Sequence, residues 1–194
     1  GQQYETLQAA VDAVQGSGTI ELTSSIALSD QVTIDSGKTI ILDMNGETLS
    51  IGFSDSSKNL IVNNGTLTIT GDGTFDATEA TSYKGFINNY GTLTVENGTF
   101  QIADKAMTVH LRNQDGGKAV INGGTFSGGA TIVRSFEGSN TTITGGSFTN
   151  SVYPAVDVNG ETLITGGIFT NTSCSRCDSQ NWGYTVRSGV DNDP

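Results

Sequence analysis

Basic residues are scarce in this chain of 194 residues. Nine lysines and arginines stand against twenty aspartates and glutamates, which gives a formal net charge of −11. A chain with that charge repels phosphate backbones and anionic membrane surfaces, so nucleic acid is not expected as a partner. The same charge could attract Ca²⁺, but no sequence motif supports a calcium site. We therefore interpret the acidic excess as a solvated surface and predict no cofactor.

Long apolar runs, proline and cysteine are also scarce. No apolar run approaches the roughly 20 residues of a membrane span, so membrane insertion is not expected. Only two prolines and two cysteines occur, whereas glycine reaches 26 residues. Two cysteines close together neither require nor exclude an oxidising compartment. The many glycines and few helix-forming segments are typical of short β-strands joined by turns.

One unit recurs five times along the chain. Its clearest copy is GTLTVENGTF, residues 91–100, and the copies align at separations of 21 to 26 residues. Each copy holds an isoleucine or valine, then a glycine, then a phenylalanine. The aligned positions are Ile69, Val95, Ile121, Ile143 and Ile164; Gly73, Gly98, Gly124, Gly146 and Gly167; and Phe75, Phe100, Phe126, Phe148 and Phe169.

Each unit is too short to bury its own apolar side chains. A further apolar stretch precedes the next copy each time, so we predict three short strands per unit, with glycine at a tight bend. Units of this kind bury a continuous core only by stacking on one another. The predicted fold class is therefore an all-β protein of the parallel β-helix type, with the isoleucine/valine and phenylalanine columns facing inward.

The N-terminal segment has a different pattern. Tyr4, Leu7, Val11 and Val14 lie at helical spacing, and Gly16 follows as a stop signal. We predict a short α-helix from Tyr4 to Gln15 that caps the open end of the first coil. The predicted organisation is a capping segment of residues 1–17, followed by a single β-helix domain of residues 18–194 with roughly seven to eight coils.

The order of these segments resembles a known family. ETLQAAVDAV (5–14), then GTIEL (18–22), then stacked GTLTI and GGTF segments are similar to the right-handed parallel β-helix proteins of the pectin-lyase-like group. The Asn-Gly-Thr-Phe and Gly-Gly-Thr-Phe corners are most similar to repeat regions of bacterial cell-surface, adhesin-like proteins. The resemblance implies a right-handed solenoid, an extracellular or cell-surface location in a bacterium, and adjoining domains of a larger parent protein.

Enzymes of that group act on acidic polysaccharides through clustered aspartates, or through calcium-binding acids with an arginine or lysine base. The repeats contain no adjacent pair of aspartates that could face each other across a glycosidic bond. Asp157 alternates with two valines, so we predict that it faces solvent. Alternation with Val109 and Leu111 likewise predicts that His110, the only histidine, and Arg112 point outward. No catalytic residue and no metal site is predicted.

The longest interruption of the repeat, residues 171–183, follows the last phenylalanine of the column. It contains both cysteines and the only tryptophan. A disulfide between Cys174 and Cys177 is our main interpretation, with free thiols as the second and redox chemistry as the third. Tryptophan suits stacking against a neutral or basic glycan, although simple packing of the insertion is the alternative. The predicted ligand-binding residues are Trp182, Tyr184, Arg176 and Asp178.

The predicted function is a non-enzymatic module of a bacterial surface or secreted protein. It would act as a rigid stalk, an adhesin or a domain that contacts a glycan or a host or cell-surface ligand. The alternative is a carbohydrate-active enzyme, either a polysaccharide lyase or a glycoside hydrolase, or an inactive relative of one. A cluster of acids with a basic residue on one exposed strand face would favour the enzyme.

Overall fold

A computed structural model describes residues 1–55, 57–79, 85–103, 108–149 and 152–170, and the backbone of residues 186–188. It is a β-solenoid built from three parallel sheets, A, B and C, with one short helix before the first strand. The chain visits the sheets in the fixed order A, B, C. Each sheet has seven strands in the described part of the chain, so six turns separate its first strand from its last.

The strand bounds follow the repeat. Sheet A contains β1 (Ser17–Glu21), β4 (Thr39–Asp43), β7 (Thr66–Thr70), β10 (Thr92–Val95), β13 (Lys118–Ile121), β16 (Asn140–Ile143) and β19 (Glu161–Ile164). Sheet B contains β2 (Ile26–Leu28), β5 (Thr48–Ile51), β8 (Thr74–Ala77), β11 (Thr99–Ile102), β14 (Thr125–Ser127), β17 (Ser147–Thr149) and β20 (Ile168–Thr170). Sheet C contains β3 (Val32–Ile34), β6 (Ile61–Asn63), β9 (Gly85–Asn89), β12 (Val109–Asn113), β15 (Thr131–Ser135), β18 (Val156–Val158) and β21 (Val186–Ser188).

The predicted inward columns are confirmed. In sheet A, Val95 pairs with Ile69 on one side and Ile121 on the other, and all three are buried. In sheet B the five phenylalanines pair in succession. Neighbouring rings stack with centroids 4.5 to 5.1 Å apart and planes within 10° of parallel. The core is therefore continuous from coil to coil.

The glycine column forms the bend between sheets A and B, as predicted. Gly98, Gly124, Gly146 and Gly167 have φ angles of 112°, 97°, 99° and 103°, where a side chain would be strained. A Cβ on Gly124 would also lie only 3.1 Å from the carbonyl oxygen of Gly98. In the first copy, which carries one extra residue, Gly71 rather than the aligned glycine has the positive φ, 78°.

The N-terminal helix is shorter than predicted. Helix α1 runs over Leu7–Ala13, because Thr6 is the N-cap and its hydroxyl accepts a hydrogen bond of 3.1 Å from the Ala9 amide. At the other end, the Lys38 ammonium donates to the backbone carbonyl groups of Val11, Asp12 and Val14 at 2.9, 3.1 and 2.9 Å. Tyr4 lies before the helix and is exposed. No helix in the described ranges is long and apolar enough to cross a membrane.

The helix also protects an edge of the first coil. The Gln8 side chain accepts a hydrogen bond from the Thr33 amide at 2.7 Å and donates to the Thr33 carbonyl oxygen at 3.1 Å. Thr33 lies in β3, the first strand of sheet C, whose outer edge would otherwise leave these backbone groups unpaired. Gln8 therefore takes the place of a neighbouring strand at this residue.

A column of buried polar side chains, the asparagine ladder, runs along the end of sheet C. It consists of Asn63, Asn89 and Asn113, each at 0 % exposure. The Asn63 amide donates to Asn89 Oδ1 at 2.7 Å, and the Asn89 amide donates to Asn113 Oδ1 at 2.8 Å. The Asn113 amide then donates to Thr141 Oγ1 at 2.9 Å. Because these amides also donate to backbone carbonyl groups of the next turn, they satisfy polar groups inside an apolar core.

The prediction for His110 is wrong, because its side chain faces the interior and is only 1 % exposed. The strands of sheet C do not alternate strictly here: Val109, His110 and Leu111 are all buried. The neighbouring strand β15 shows the cause, since the Ile132 and Val133 amides both donate to the carbonyl oxygen of Ala155. Ile132 and Val133 therefore lie opposite the single residue Ala155. Such a β-bulge bends the backbone, so that both side chains face inward.

Candidate functional site

The residues predicted to bind a ligand all fall within 171–185, outside the described residues. The disulfide and the glycan site in that insertion therefore stay predictions. They concern Cys174, Arg176, Cys177, Asp178, Trp182 and Tyr184.

The described acidic residues do not form a metal cluster. In the ranges that the structure describes, no group of three or more His, Cys, Asp or Glu side chains could hold a metal ion. A hydrogen bond from Lys58 holds the pKa of the Asp30 carboxyl below its usual value, and hydrogen bonds from Ser57 do the same for Asp55. These two carboxylates are thus held in their charged form, which is the opposite of what a general acid requires.

The outward side of sheet C presents the most distinctive set of side chains, which we call the arginine face. Four of its members lie at the same position of neighbouring strands, where Arg112 pairs with Asn88 and Arg134, and Arg134 pairs with Asp157. Each of the other three lies two residues after one of these four members in the sequence. The arginine face consists of Asn88, Tyr90, Arg112, Gln114, Arg134, Phe136 and Asp157.

Two arginines of this face share one aromatic ring. The guanidinium carbons of Arg112 and Arg134 lie 5.3 and 5.2 Å from the centroid of the Phe136 ring. Both distances are within the range of cation–π attraction, which holds the two planar groups against the sheet. Burial lowers the pKa of Arg112, and the nearby charge of Arg134 lowers it further. The arrangement thus concentrates positive charge on a chain that is acidic as a whole.

Asp157 offsets part of that charge. Its Oδ2 lies 3.2 Å from Nε of Arg134, but this Nε is buried and makes no hydrogen bond, so the attraction is ionic only. The prediction that Asp157 faces solvent holds only in part, because just 18 % of its side chain is exposed beside Arg134. Two guanidinium groups and one carboxylate leave the face with a net positive charge.

Tyr90 and two amides border the arginines. Gln114 donates from Nε2 to Asn88 Oδ1 at 2.6 Å, and Asn88 donates from Nδ2 to the Tyr90 hydroxyl oxygen at 3.3 Å. This chain of hydrogen bonds fixes the phenol group, while 49 % of Tyr90 remains exposed. An exposed ring beside amides and guanidinium groups can stack on a planar or sugar-like group and hydrogen-bond to its oxygens.

Sequence reasoning placed Arg112 on the outside but did not find the arginine face. A signal was present, because HLRN, IVRS and AVDVN place Arg112, Arg134 and Asp157 at separations of 22 and 23 residues. That spacing lies within the range of the repeat.

Sheet B has a second outward feature that sequence reasoning missed. Five in-register positions on neighbouring strands carry small hydroxyl side chains. They are Thr48, Thr74, Thr99, Thr125 and Ser147. This column is uncharged, in contrast to the arginine face on sheet C.

Comparisons with protein-family models, with curated proteins and with solved structures found no match to this chain.

Proposed function

We propose that this chain is a non-enzymatic, extracellular module of a bacterial surface or secreted protein. It serves as a rigid stalk or adhesin that contacts a glycan or another cell-surface ligand through the arginine face. The observation that carries the proposal is the alignment of Arg112, Arg134 and Phe136 next to the exposed ring of Tyr90.

The arginine face lies on a rigid part of the solenoid, and this rigidity favours ligand binding. Its side chains project from strands that are paired on both sides and packed on a continuous core, so their spacing is fixed at about 4.8 Å per strand. Groups that are already ordered lose little entropy when a ligand binds. A solenoid therefore presents these side chains as a preformed surface.

The chemistry of the arginine face favours a glycan that carries carboxylate groups. Guanidinium groups bind carboxylates through two parallel hydrogen bonds, and Tyr90 offers a face for a sugar ring. This ligand differs from the neutral or basic glycan predicted for the insertion that contains Trp182. The two surfaces are independent, and each can be tested without the other.

Binding is favoured over catalysis at this face. A glycoside hydrolase needs two carboxyl groups, about 5 Å apart in retaining enzymes and about 6.5–9.5 Å apart in inverting ones. Among the seven residues of the arginine face, Asp157 is the single carboxylate, and it is paired with Arg134, so the face does not supply the two carboxyl groups that hydrolysis requires. The face is thus equipped to hold a ligand rather than to cleave one.

Calorimetric titration with uronate-containing, sulfated and neutral oligosaccharides tests the proposal. We expect the uronate ligands to bind, and Arg134→Gln to weaken their binding at least about tenfold, the equivalent of one lost charge-assisted contact. Lys118→Gln is the matched control, because it removes an equal charge from an exposed position on sheet A.

Three outcomes would contradict the proposal. They are an absence of binding across the panel, an equal loss of affinity in both variants, and shortening of an oligosaccharide on incubation with the protein. The last outcome would establish the enzyme alternative, because a binding module leaves its ligand intact.

A further inference from the structure

His110 lies at the middle of the solenoid. It belongs to β12, the fourth of the seven described strands of sheet C, so three described strands of that sheet lie on either side of it. Its ring centroid is 5.4 Å from that of Phe86 in the preceding coil and 6.0 Å from that of Phe126. The only histidine of the chain is therefore part of the aromatic core.

Hydrogen bonding fixes the form of this ring. Nε2 lies 3.2 Å from the carbonyl oxygen of Gly128, which can only accept, so Nε2 carries the hydrogen. Nδ1 is then a bare acceptor, and it is buried without any hydrogen-bond partner. A proton on Nδ1 would create a buried charge and a donor with nothing to receive it.

In the described ranges, the surroundings offer only backbone carbonyl groups as compensation for that charge. Phe86 of β9, Phe126 of β14 and the backbone at Gly128 contact the ring, and the equivalent position of β15 is the buried Ile132. Arg112, on the same strand, points to the opposite side of sheet C. Within the described ranges no titratable group faces the imidazole. Burial lowers the pKa of His110 to about 4, against a smaller opposing effect of the carbonyl groups of Gly128 and Ser127.

We infer that His110 makes the central coil acid-sensitive, so that proton uptake opens this coil before its neighbours and separates the solenoid into two halves. An opened coil exposes the imidazole, which then binds a proton once the pH falls below its ordinary pKa of 6.5. In the closed coil the imidazole does not bind a proton until the pH reaches about 4. Opening is therefore favoured progressively as the pH falls from 6.5 to 4. The opening equilibrium increases by up to about 300-fold over this range.

Opening can remain local because coils contact only their neighbours along the axis. Breaking the fourth coil leaves two blocks of three coils and exposes strand edges between them. An extracellular module with such a joint would lose its stiffness in acidic surroundings and recover it at neutral pH. This inference does not depend on the ligand of the arginine face.

Hydrogen exchange at neutral pH and at about pH 5, corrected for intrinsic exchange rates, tests the inference on the whole chain. We expect the amides of β10, β11 and β12, the strands of the fourth coil, to lose protection first in acid, and His110→Phe to abolish this loss. Ile132→Val is the matched control, because it weakens the same core without changing a titratable group and should leave the pH dependence intact. If His110→Phe does not fold, His110→Leu serves the same purpose.

The single imidazole gives a direct second measurement by NMR. In the folded protein its signal should not shift between pH 7 and about pH 5. A midpoint near 6.5 for that signal would overturn the inference. So would an equal acid response in the His110→Phe variant, or loss of protection that starts at the ends of the solenoid.

Discussion

Replacing Phe126 by alanine should strongly destabilise the protein, since this ring joins two coils. It is 2 % exposed, and its centroid lies 4.5 Å from that of Phe100 and 5.1 Å from that of Phe148. Deletion of a buried phenylalanine costs about 3–5 kcal/mol, and loss of two stacked neighbours keeps Phe126 away from the lower end of that range. We expect a loss of about 4 kcal/mol in the free energy of unfolding.

Urea denaturation followed by circular dichroism measures this loss. With a slope on the order of 2 kcal/mol per molar urea, the midpoint should fall by about 2 M. Phe169→Ala is the matched control, because Phe169 ends the same column, is only partly buried and stacks on one described ring. It should cost about half as much. An unchanged midpoint for Phe126→Ala, or equal shifts for both variants, would refute the reasoning.

Three further predictions concern other parts of the fold. Asn89→Ala should cost about 2–3 kcal/mol in urea denaturation, because it leaves Asn63 without its acceptor inside the core; a cost near zero would contradict this. Gln8→Ala should cause concentration-dependent association in light scattering, because it exposes the backbone of Thr33 on an edge strand, and a variant that stays monomeric would disprove it. Gly124→Ala should lower the free energy of unfolding by about 1–3 kcal/mol, owing to its positive φ, and an unchanged melting temperature would exclude such strain.

The repeat made the core predictable, because every coil places the same residue type in the same surroundings. Ile121 and Phe126 could thus be assigned to the interior without knowledge of the coil before or after them. The helix bounds could not be predicted as well. Its end at Ala13 depends on Lys38, which is distant in sequence and whose ammonium reaches the last carbonyl groups.

The errors came from positions where the strand departs from regular geometry. His110 was placed outside because alternation assumes a straight strand, whereas sheet C bends at this point. The asparagine ladder was missed for a related reason. Asn63, Asn89 and Asn113 recur at separations of 26 and 24 residues, but polar residues at a strand end are usually interpreted as turn residues. The arginine face could not be recognised without the register of four strands, because the coils between these strands differ in length.

The asparagine ladder has a direction. Each amide donates toward the C-terminal end, so its acceptor oxygen faces the N-terminal end, and the amide dipoles add along the axis as peptide dipoles do in a helix. The negative end is Asn63, whose Oδ1 has no hydrogen-bond partner. At the positive end, the Asn113 amide donates to the hydroxyl group of Thr141, which can itself donate a hydrogen bond. A side chain that extends the asparagine ladder before Asn63 must therefore donate a hydrogen bond from the position of Ile34, which pairs with Asn63. A side chain that extends the ladder beyond Asn113 must instead accept one.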